Sequence, residues 1–274
     1  MFRFNKLLTA TLAVAALGLV QGCAQPAKPP QTNADQGLRV ELEPSALAII
    51  KEMGVKLSQA KSLSFTATAT YESTARTGQP LAYLSQMDVS LQRPNKLSVI
   101  TLGDGPRSEF YFNGDTMTAY SPGTNVVATE KAPDSINEML KFAFKKADIY
   151  FPFTDVIVAD PYAGATNKLK IAFVVGQSAI VGGITTDVVA LVNDNMQAQI
   201  WVGRDDKLPR LLRVTYFNEP GNFRHVVSFT NWKLNPTFTA KTFTNPAINQ
   251  ANKIEFASPS ALAQAVKTPA GAKP

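Results

Sequence analysis

The chain has 274 residues, 45% of them hydrophobic, which is enough for one main domain with a sizeable core and terminal tails. A single His and a single Cys exclude a zinc site built from clustered ligands. The formal charge of +6 is spread along the chain rather than gathered in the basic stripe of a nucleic-acid binder. We predict no cofactor, no bound metal and no nucleic-acid partner.

Established catalytic motifs are absent from the sequence. It contains no nucleophile elbow, no zinc-protease helix motif, no P-loop and no dinucleotide-binding glycine motif. We therefore predict that the protein is not an enzyme. A hydrolase that uses Ser and Lys without His is the remaining catalytic alternative.

Residues 1–22 have the pattern of a secretory signal peptide. A short basic region precedes an apolar run from Leu7 to Val20, which is too short to span a bilayer comfortably. The run leads into Leu19-Val20-Gln21-Gly22-Cys23, which resembles a bacterial lipobox. By that resemblance Cys23 would carry a diacylglycerol, and the new amino terminus would be acylated. The alternative is an ordinary cleaved signal that leaves a free thiol at Cys23.

Lipid attachment would fix the protein to a membrane, because two or three acyl chains bind a bilayer essentially permanently. Ala24, rather than Asp, follows the Cys, which resembles the outer-membrane sorting signal of enteric-type bacteria. We therefore expect a cell-envelope protein, held by its lipid anchor at the periplasmic face of the outer membrane.

Composition divides the rest of the chain into three segments. Residues 23–40 contain the predicted lipidation site and a Pro-bearing stretch, 24–37, without large apolar side chains, as expected for a flexible tether. Residues 41–256 carry the regular apolar patterns of a folded domain. Residues 257–274 are rich in Ala and Pro, and we predict a disordered tail there.

The folded domain opens with a helix and continues with strands. Pro44 at the first helical position and apolar residues at helical spacing predict a helix from Glu43 to Lys61. From Ser64 to Tyr71 apolar and polar residues alternate strictly, which predicts a strand with one buried face. The next strand repeats this alternation through Tyr83 and Met87.

Turn residues separate the elements that follow. Strands are predicted at 97–102, 107–112, 116–120 and 126–129, and the Asn113-Gly114 turn is typical of a hairpin. A helix is predicted from Asp134 to Lys146, and a short apolar piece from Phe151 to Val158 comes after it. Further strands are predicted at 169–180, 184–192, 196–203, 208–217 and 223–234, with a Gly182-Gly183 turn between the first two.

These elements amount to about eleven strands and two or three helices, without a βαβ repeat. The predicted class is α+β, with one large antiparallel sheet that curls into an unclosed half β-barrel and is covered by helices.

Several motifs resemble the LolA family of periplasmic lipoprotein carriers. The segment from Val89 to Leu97 resembles the Arg-Pro-Asn strand end of that family, and the segment from Phe112 to Pro122 is similar to its following hairpin. Thr242 to Pro246 resembles its terminal Phe-x-Pro-Pro motif. A subset described as predicted periplasmic proteins shares Phe65-Thr66-Ala67, Asp160-Pro161-Tyr162, Gln199-Ile200-Trp201 and Trp232 to Pro236. The resemblance covers residues 43–256.

The resemblance implies an eleven-stranded half barrel with a helical lid and an apolar cavity for acyl chains. It also implies that Arg93 ties down a lid helix. Independently, Arg93 shares the strand parity of Tyr83 and Met87, so its guanidinium is expected to point toward the concavity near the rim and to pair with carbonyls or an anionic head group. The alternative is that Arg93 merely ends a strand, with its side chain in water.

Large side chains on the predicted strands and helices are candidates to line such a cavity, since lipid pockets are mostly apolar. The candidates are Phe65, Tyr83, Met87, Phe110, Phe112, Met117, Tyr120, Phe142, Phe151 and Trp201. The alternative is that each of them fills a packed core. His225 has no neighbouring carboxylate in the sequence, which favours a surface or barrel position over a catalytic one.

We therefore predict a membrane-anchored periplasmic lipoprotein that binds a lipid, an acyl chain or a lipidated protein in an apolar concavity. Transfer of that ligand between membranes is the further step that the resemblance implies. A different class of function is the alternative, namely a sensor or scaffold that binds a periplasmic protein partner and transports nothing.

Overall fold

A computed structural model describes residues 41–218 and 222–257. The predicted leader, tether and tail, and with them Cys23, lie outside the described residues apart from Ala257. The described chain forms one sheet of thirteen strands in the order β1-β8-β9-β10-β11-β12-β2-β3-β4-β5-β6-β7-β13. β1 and β13 are its two edges, so the sheet is not closed into a barrel.

Strands and a few helices alternate along the chain. The strands are β1 Glu41–Leu42, β2 Ser62–Thr74, β3 Pro80–Gln92, β4 Lys96–Gly103, β5 Ser108–Phe112, β6 Thr116–Ser121, β7 Val126–Lys131, β8 Ile171–Ser178, β9 Thr186–Val192, β10 Met196–Gly203, β11 Pro209–Tyr216, β12 Arg224–Leu234 and β13 Asn252–Ile254. The helices are α1 Pro44–Gln59, α2 Ile136–Ala147, α3 Thr154–Ile157 and α4 Pro161–Thr166. Short 3₁₀ turns occupy Val181–Gly183, Ala240–Phe243 and Pro246–Gln250.

The predicted α+β class is confirmed, with two more strands than the predicted eleven. The additional strands are β1 and β13, which pair in parallel with β8 and β7 at the two edges. All other pairings are antiparallel. Strands of two or three residues carry no alternation of their own, so only their tertiary pairing defines them.

The short helix α4 is a further difference from the prediction. Asp160 accepts a hydrogen bond from the Ala163 amide at 2.9 Å, and Pro161 occupies the first helical turn. An Asp cap followed by Pro is a typical helix start, so the Asp160-Pro161-Tyr162 motif has a local structural role.

Apolar side chains of the inner, concave face of the sheet form the core together with the helices. α1 contributes Ile50, Met53 and Leu57, and α2 contributes Met139 and Ala143. In β2 the alternation places Phe65, Ala67 and Ala69 in this core and leaves the intervening Thr side chains only half buried. This arrangement is the amphipathic pattern that the sequence predicts.

The C-terminal segment, 236–256, packs on the outer face of the sheet near β4 and β5. Phe243 is buried there, and the Asn245 amide donates to the Glu109 carboxylate at 2.8 Å. Glu109 also accepts hydrogen bonds from the Arg107 guanidinium at 2.9 and 3.2 Å and from the Tyr111 hydroxyl at 2.9 Å. The motif from Thr242 to Pro246 therefore attaches this segment to the sheet.

Burial of Glu109 opposes its ionisation, but the hydrogen bonds from Asn245, Tyr111 and Arg107 outweigh that effect and lower the pKa of the carboxyl. Burial, followed by the bond to this carboxylate, raises the pKa of the Tyr111 phenol. A buried carboxylate with donors on both oxygens is a stable anchor point.

The two motifs that resemble the LolA family touch each other. Gly114 of the hairpin has a φ of +101°, and a Cβ built there would lie 2.5 Å from the Asn95 side-chain nitrogen. Both the backbone conformation and the close approach require glycine. The spacing between Arg93-Pro94-Asn95 and the hairpin is thus a packing requirement.

A helix that crosses a bilayer must be both long and apolar. None of the helices in the described part of the chain combines these two properties.

Candidate functional site

The deep part of the concave face is filled by side chains. Phe65 packs edge-on against Phe153 and Phe229, with ring centroids 5.6 and 5.9 Å apart. Of the predicted cavity-lining residues, Phe65, Phe110, Phe112 and Met117 are buried in this packed core. Their contacts match the alternative that the sequence left open, which was core filling.

The open end of the concave face holds a groove of about 380 Å³. Its floor is formed by β2, β3, β4, β5 and β12, and the loop between α2 and α3 covers it. The residues that line it are Ala69, Thr70, Tyr71, Ser85, Met87, Thr101, Ser108, Tyr150, Phe151, Pro152, His225 and Val227. This volume lies within the range of small-molecule pockets, roughly 300–1,000 Å³.

The sheet register explains why these residues meet. Met87 on β3 lies opposite Ala67 on β2 and Thr101 on β4, and Thr101 lies opposite Ser108 on β5. Because directly opposed residues share a face, the hydroxyls of Thr101 and Ser108 point to the same side as Met87. Ser85 lies two residues before Met87 on the same strand, so its side chain also points to this face of the sheet.

Aromatic rings form the rim of the groove. Tyr71 stacks on Tyr83 with a centroid distance of 5.6 Å, and the two residues are 40% and 37% exposed. His225 lies between Tyr71, at 6.4 Å, and Tyr216, at 5.2 Å. A second hollow of about 320 Å³ adjoins the groove and is lined by Tyr71, Tyr83, Ser85 and Thr101 among others.

The cover of the groove is the segment from α2 to α3. Phe151 contacts Phe110 and Phe153, with centroids 5.3 and 5.4 Å apart, and so attaches the loop to the core. Tyr150 beside it is 52% exposed. A loop attached through one buried ring and carrying one exposed ring is suited to close over an apolar ligand.

Arg93 connects the sheet to this cover. Its Nη2 donates to the carbonyl oxygen of Val158, at the C-terminal end of α3, over 3.1 Å. Its Nε is buried without a hydrogen-bond partner among the described residues. Burial lowers the pKa of the guanidinium, which nonetheless stays protonated at any physiological pH. The side chain is half buried, with its guanidinium against the end of α3.

A smaller cavity of about 70 Å³ lies between α4 and strands β9 to β12. Its walls are mostly apolar, and the solvent-exposed Asp155 is among the residues that line it. Desolvation by those walls raises the pKa of the Asp155 carboxyl. The volume holds only about two water molecules at roughly 30 Å³ each, so this cavity is too small for an acyl chain.

Two predicted cavity-lining residues face away from the concavity. Trp201 lies between Ile200 and Val202, whose side chains are both in the core, so alternation places it on the outer face. Tyr120 lies opposite Glu109, on the outer face that the C-terminal segment covers. The cavity prediction is corrected for these two residues.

The other residues that were predicted to line the cavity lie either at the groove and the adjoining hollow or on α2. Met87 and Phe151 line the groove, and Tyr83 lines the adjoining hollow. Phe142 on α2 is half buried against the core. The structure adds Tyr71, Ser85, Thr101, Ser108, Tyr150 and His225 to the site.

A signal for part of this set was present in the sequence. Ser85 shares the parity of Tyr83 and Met87, and the hairpins fix which residues of β4 and β5 lie opposite them. Tyr150 sits in a loop, where no periodicity predicts the direction of a side chain. Its place in the site follows from the tertiary contacts of Phe151.

A metal site needs several ligating side chains in one place. The described residues contain no group of three or more His, Cys, Asp or Glu side chains placed to hold a metal ion.

Comparisons with known proteins give one family and several similar structures. A family model described as "Predicted periplasmic protein (DUF2092)" matches residues 46–257. This match confirms the predicted relation to a periplasmic subset. A comparison with curated proteins finds no match.

Three solved structures illustrate the similarities. MucB, in the Pseudomonas aeruginosa MucA/MucB complex, is 17% identical, with 74% of this chain and 62% of that chain covered and a TM-score of 0.42. An uncharacterised conserved protein of Thermus thermophilus is 12% identical, with coverages of 77% and 99% and a TM-score of 0.43. A LolA superfamily protein of Nitrosomonas europaea is 12% identical, with coverages of 73% and 97% and a TM-score of 0.31. The chain spans less than two thirds of the length of MucB.

Proposed function

The chain belongs to the DUF2092 family of predicted periplasmic proteins, and from that premise we propose that it binds an acyl chain, free or attached to a lipid or protein, at the open end of its concave face. The observation that carries this proposal is the groove of about 380 Å³ beside Met87 and Phe151, under a cover segment. Its volume, the apolar side chains in its lining and its position at the mouth of a curved sheet suit an elongated apolar ligand.

The depth of the concavity limits where the ligand lies. Since Phe65, Phe112 and Met117 fill the interior, the bound acyl chain lies along the rim rather than at the centre of the half barrel. The exposed rings of Tyr71, Tyr83 and Tyr150 supply apolar surface that a bound chain removes from water.

Lipid attachment at Cys23 is part of the same proposal. The sequence around Cys23 resembles a lipobox, and the anchor would keep the domain at the periplasmic face of a membrane, near a source of acyl chains. The Ala24 signal favours the outer membrane. Transfer of the ligand between membranes would follow if the cover opens, with Arg93 as its tie.

Native mass spectrometry tests the binding proposal. The chain from Ala24 to Pro274 retains every residue of the described domain and lacks the predicted anchor. Purified without detergent, it should carry a bound mass that organic extraction identifies as an acyl compound. A protein that is fully folded and free of any such mass, also after incubation with vesicles, would contradict the proposal.

A second candidate function rests on the edge of the sheet at β8. β1 pairs only with Ile171 and Ala172, and beyond them no described strand continues along β8, where the Glu43 carboxylate accepts a hydrogen bond from the Val174 amide at 2.8 Å. Phe173 and Val175 on this strand are about half exposed. An apolar edge strand favours addition of a partner strand, so the alternative is a scaffold that binds a protein there.

Substitution of Val175 by Lys separates the two candidates. A charged side chain on an exposed edge strand opposes strand addition at β8, and it leaves the groove intact because no residue of β8 lines the groove. Loss of a co-purifying periplasmic protein together with unchanged acyl binding supports the scaffold as an additional function. Unchanged capture of that protein would exclude the β8 edge as its site.

A further inference from the structure

The groove contains a row of hydroxyls without partners. Among the described residues, the side chains of Ser85, Thr101 and Ser108 make no hydrogen bond within the protein, and all three line the groove. They lie side by side on β3, β4 and β5, next to Met87. Hydroxyls that face a pocket without internal partners are available to a ligand or to water.

The lining of the groove carries no Asp, Glu, Lys or Arg. Several charged side chains near this end of the sheet are engaged elsewhere. Asp104 accepts a hydrogen bond from the Leu84 amide at 2.7 Å, and Glu72 pairs with Arg224 at 3.4 Å. Arg107 pairs with Glu109 on the outer face. His225 is the one basic side chain of the lining, so a phosphate placed in the groove would be desolvated without a permanently charged cationic partner, which disfavours its binding.

The volume of the groove limits the length of the acyl chain that it can hold. A methylene group occupies about as much space as a water molecule, roughly 30 Å³, so 380 Å³ accommodates one chain of about 12 carbons. Two acyl chains of ordinary length do not fit. The apolar surfaces of Ala69, Phe151 and Val227 belong to the same lining as the hydroxyl row and would take this chain.

We propose that the groove selects an amphiphile with one acyl chain and an uncharged, hydroxyl-bearing head group, such as glycerol or a sugar, over an anionic phospholipid. The chain lies against Met87, Phe151 and Val227, and the head group bonds the row of Ser85, Thr101 and Ser108. The inference rests on the proposed function and names its ligand class.

Calorimetric titration of the chain from Ala24 to Pro274 tests this selectivity. The probes are monolauroylglycerol, dodecyl glucoside and lauroyl lysophosphatidylglycerol, each below its micellar concentration. We expect one or both uncharged probes to bind at least tenfold more tightly than the anionic one. The comparison of the first two distinguishes a glycerol from a sugar head group.

Variants locate the selectivity in the groove. Thr101→Val combined with Ser108→Ala removes two hydroxyls and should weaken binding of the uncharged probe by about tenfold, given the usual strength of two neutral hydrogen bonds. Thr101→Lys places a cation on the floor and should shift the preference toward the anionic probe. Thr68→Val, on the outer face of β2, is the matched control and should change nothing.

Two results would overturn the inference. Equal or tighter binding of lysophosphatidylglycerol would refute the selectivity while the proposed acyl binding survives. Undiminished binding in the folded double variant would place the ligand outside the groove. Absence of binding for all three probes, with circular dichroism showing a folded protein, would refute the proposed function itself.

Discussion

At the scale of single residues, Arg93 stands out because its Nε is buried without a hydrogen-bond partner among the described residues. Its half-buried guanidinium makes one hydrogen bond within the same part of the chain, through Nη2. Burial of the unpartnered Nε lowers the stability of the fold, whereas an apolar side chain at the same place would not. The hydrogen bond of Arg93 ends on Val158, at the end of the cover segment. This hydrogen bond links the end of β3 to the end of α3, and under the proposed function it would hold the cover segment in place.

Arg93→Leu tests this tie. We expect faster hydrogen exchange of the amides in 149–160 and altered retention of a bound acyl probe, because the hydrogen bond to Val158 is lost. The free energy of unfolding should change by less than about 1.5 kcal/mol, since the desolvated guanidinium is removed together with its hydrogen bond. Arg213→Leu, on the outer face of β11, is the control. Identical exchange and retention in Arg93→Leu and the wild type would refute the tie.

Glu109 is the residue on which the outer face depends. Glu109→Gln replaces a carboxylate that accepts hydrogen bonds from Arg107, Tyr111 and Asn245, and urea unfolding at pH 7 should show a loss of about 2–3 kcal/mol. Glu138→Gln, in an exposed pair with Lys141, should cost less than about 1 kcal/mol. A loss for Glu109→Gln no larger than this control would contradict the anchor.

The pH dependence of stability provides a separate check on Glu109. Its folded pKa is lowered relative to the unfolded value of about 4.3. The stabilisation is therefore complete above the unfolded value and disappears as the pH falls through the lower, folded pKa. Unfolding measured from pH 6 to pH 3 should show this loss in the wild type, and the Glu109→Gln variant should show a smaller one.

At the scale of elements, local patterns predict most of the sheet. The strand predicted at 196–203 is observed as Met196–Gly203, and the predicted hairpin at Asn113-Gly114 joins β5 to β6. Both follow from alternation and turn chemistry within a few residues. The α2 helix also agrees within two residues at its start, where Ser135 caps the Glu138 amide.

The elements that the sequence did not reveal are those defined by contacts over long distances. β1 and β13 exist because β8 and β7 offer edges to pair with. The cover of the groove depends on Phe151 reaching Phe110, which belongs to a strand far earlier in the chain. Alternation could have predicted that Trp201 points outward, because Ile200 and Val202 on either side of it lie in the core. The hairpin register could have predicted the same for Tyr120, which lies opposite Glu109.

The C-terminal segment behaves as an element of the fold although it contains little regular structure. Phe243→Ala should lower the free energy of unfolding by about 3 kcal/mol, because the ring is buried against Phe238 and beneath Lys96. Thr244→Ala, at an exposed neighbouring position, should leave it nearly unchanged. Thermal or urea unfolding distinguishes the two, and equal stability of both variants would mean that the segment is not part of the cooperative unit.

At the scale of the whole molecule, the sheet is curved and open but not hollow. Its interior is largely filled near β2 and α1, and the groove lies at the rim, between strands β2 to β5 and the segment from α2 to α3. Such an arrangement keeps the stability of a packed core and leaves one end for a ligand. The proposed ligand would lie in this groove, which is open to solvent.

A photoreactive acyl probe tests the central claim most directly. Monolauroylglycerol with a diazirine in the chain is mixed with the chain from Ala24 to Pro274, irradiated and mapped by peptide mass spectrometry. The groove predicts labels on the peptides that contain Met87 and Tyr150-Phe151, with competition by the unlabelled compound. Labelling confined to other parts of the sheet, such as the β8 edge, or labelling that the competitor does not reduce, would contradict the account.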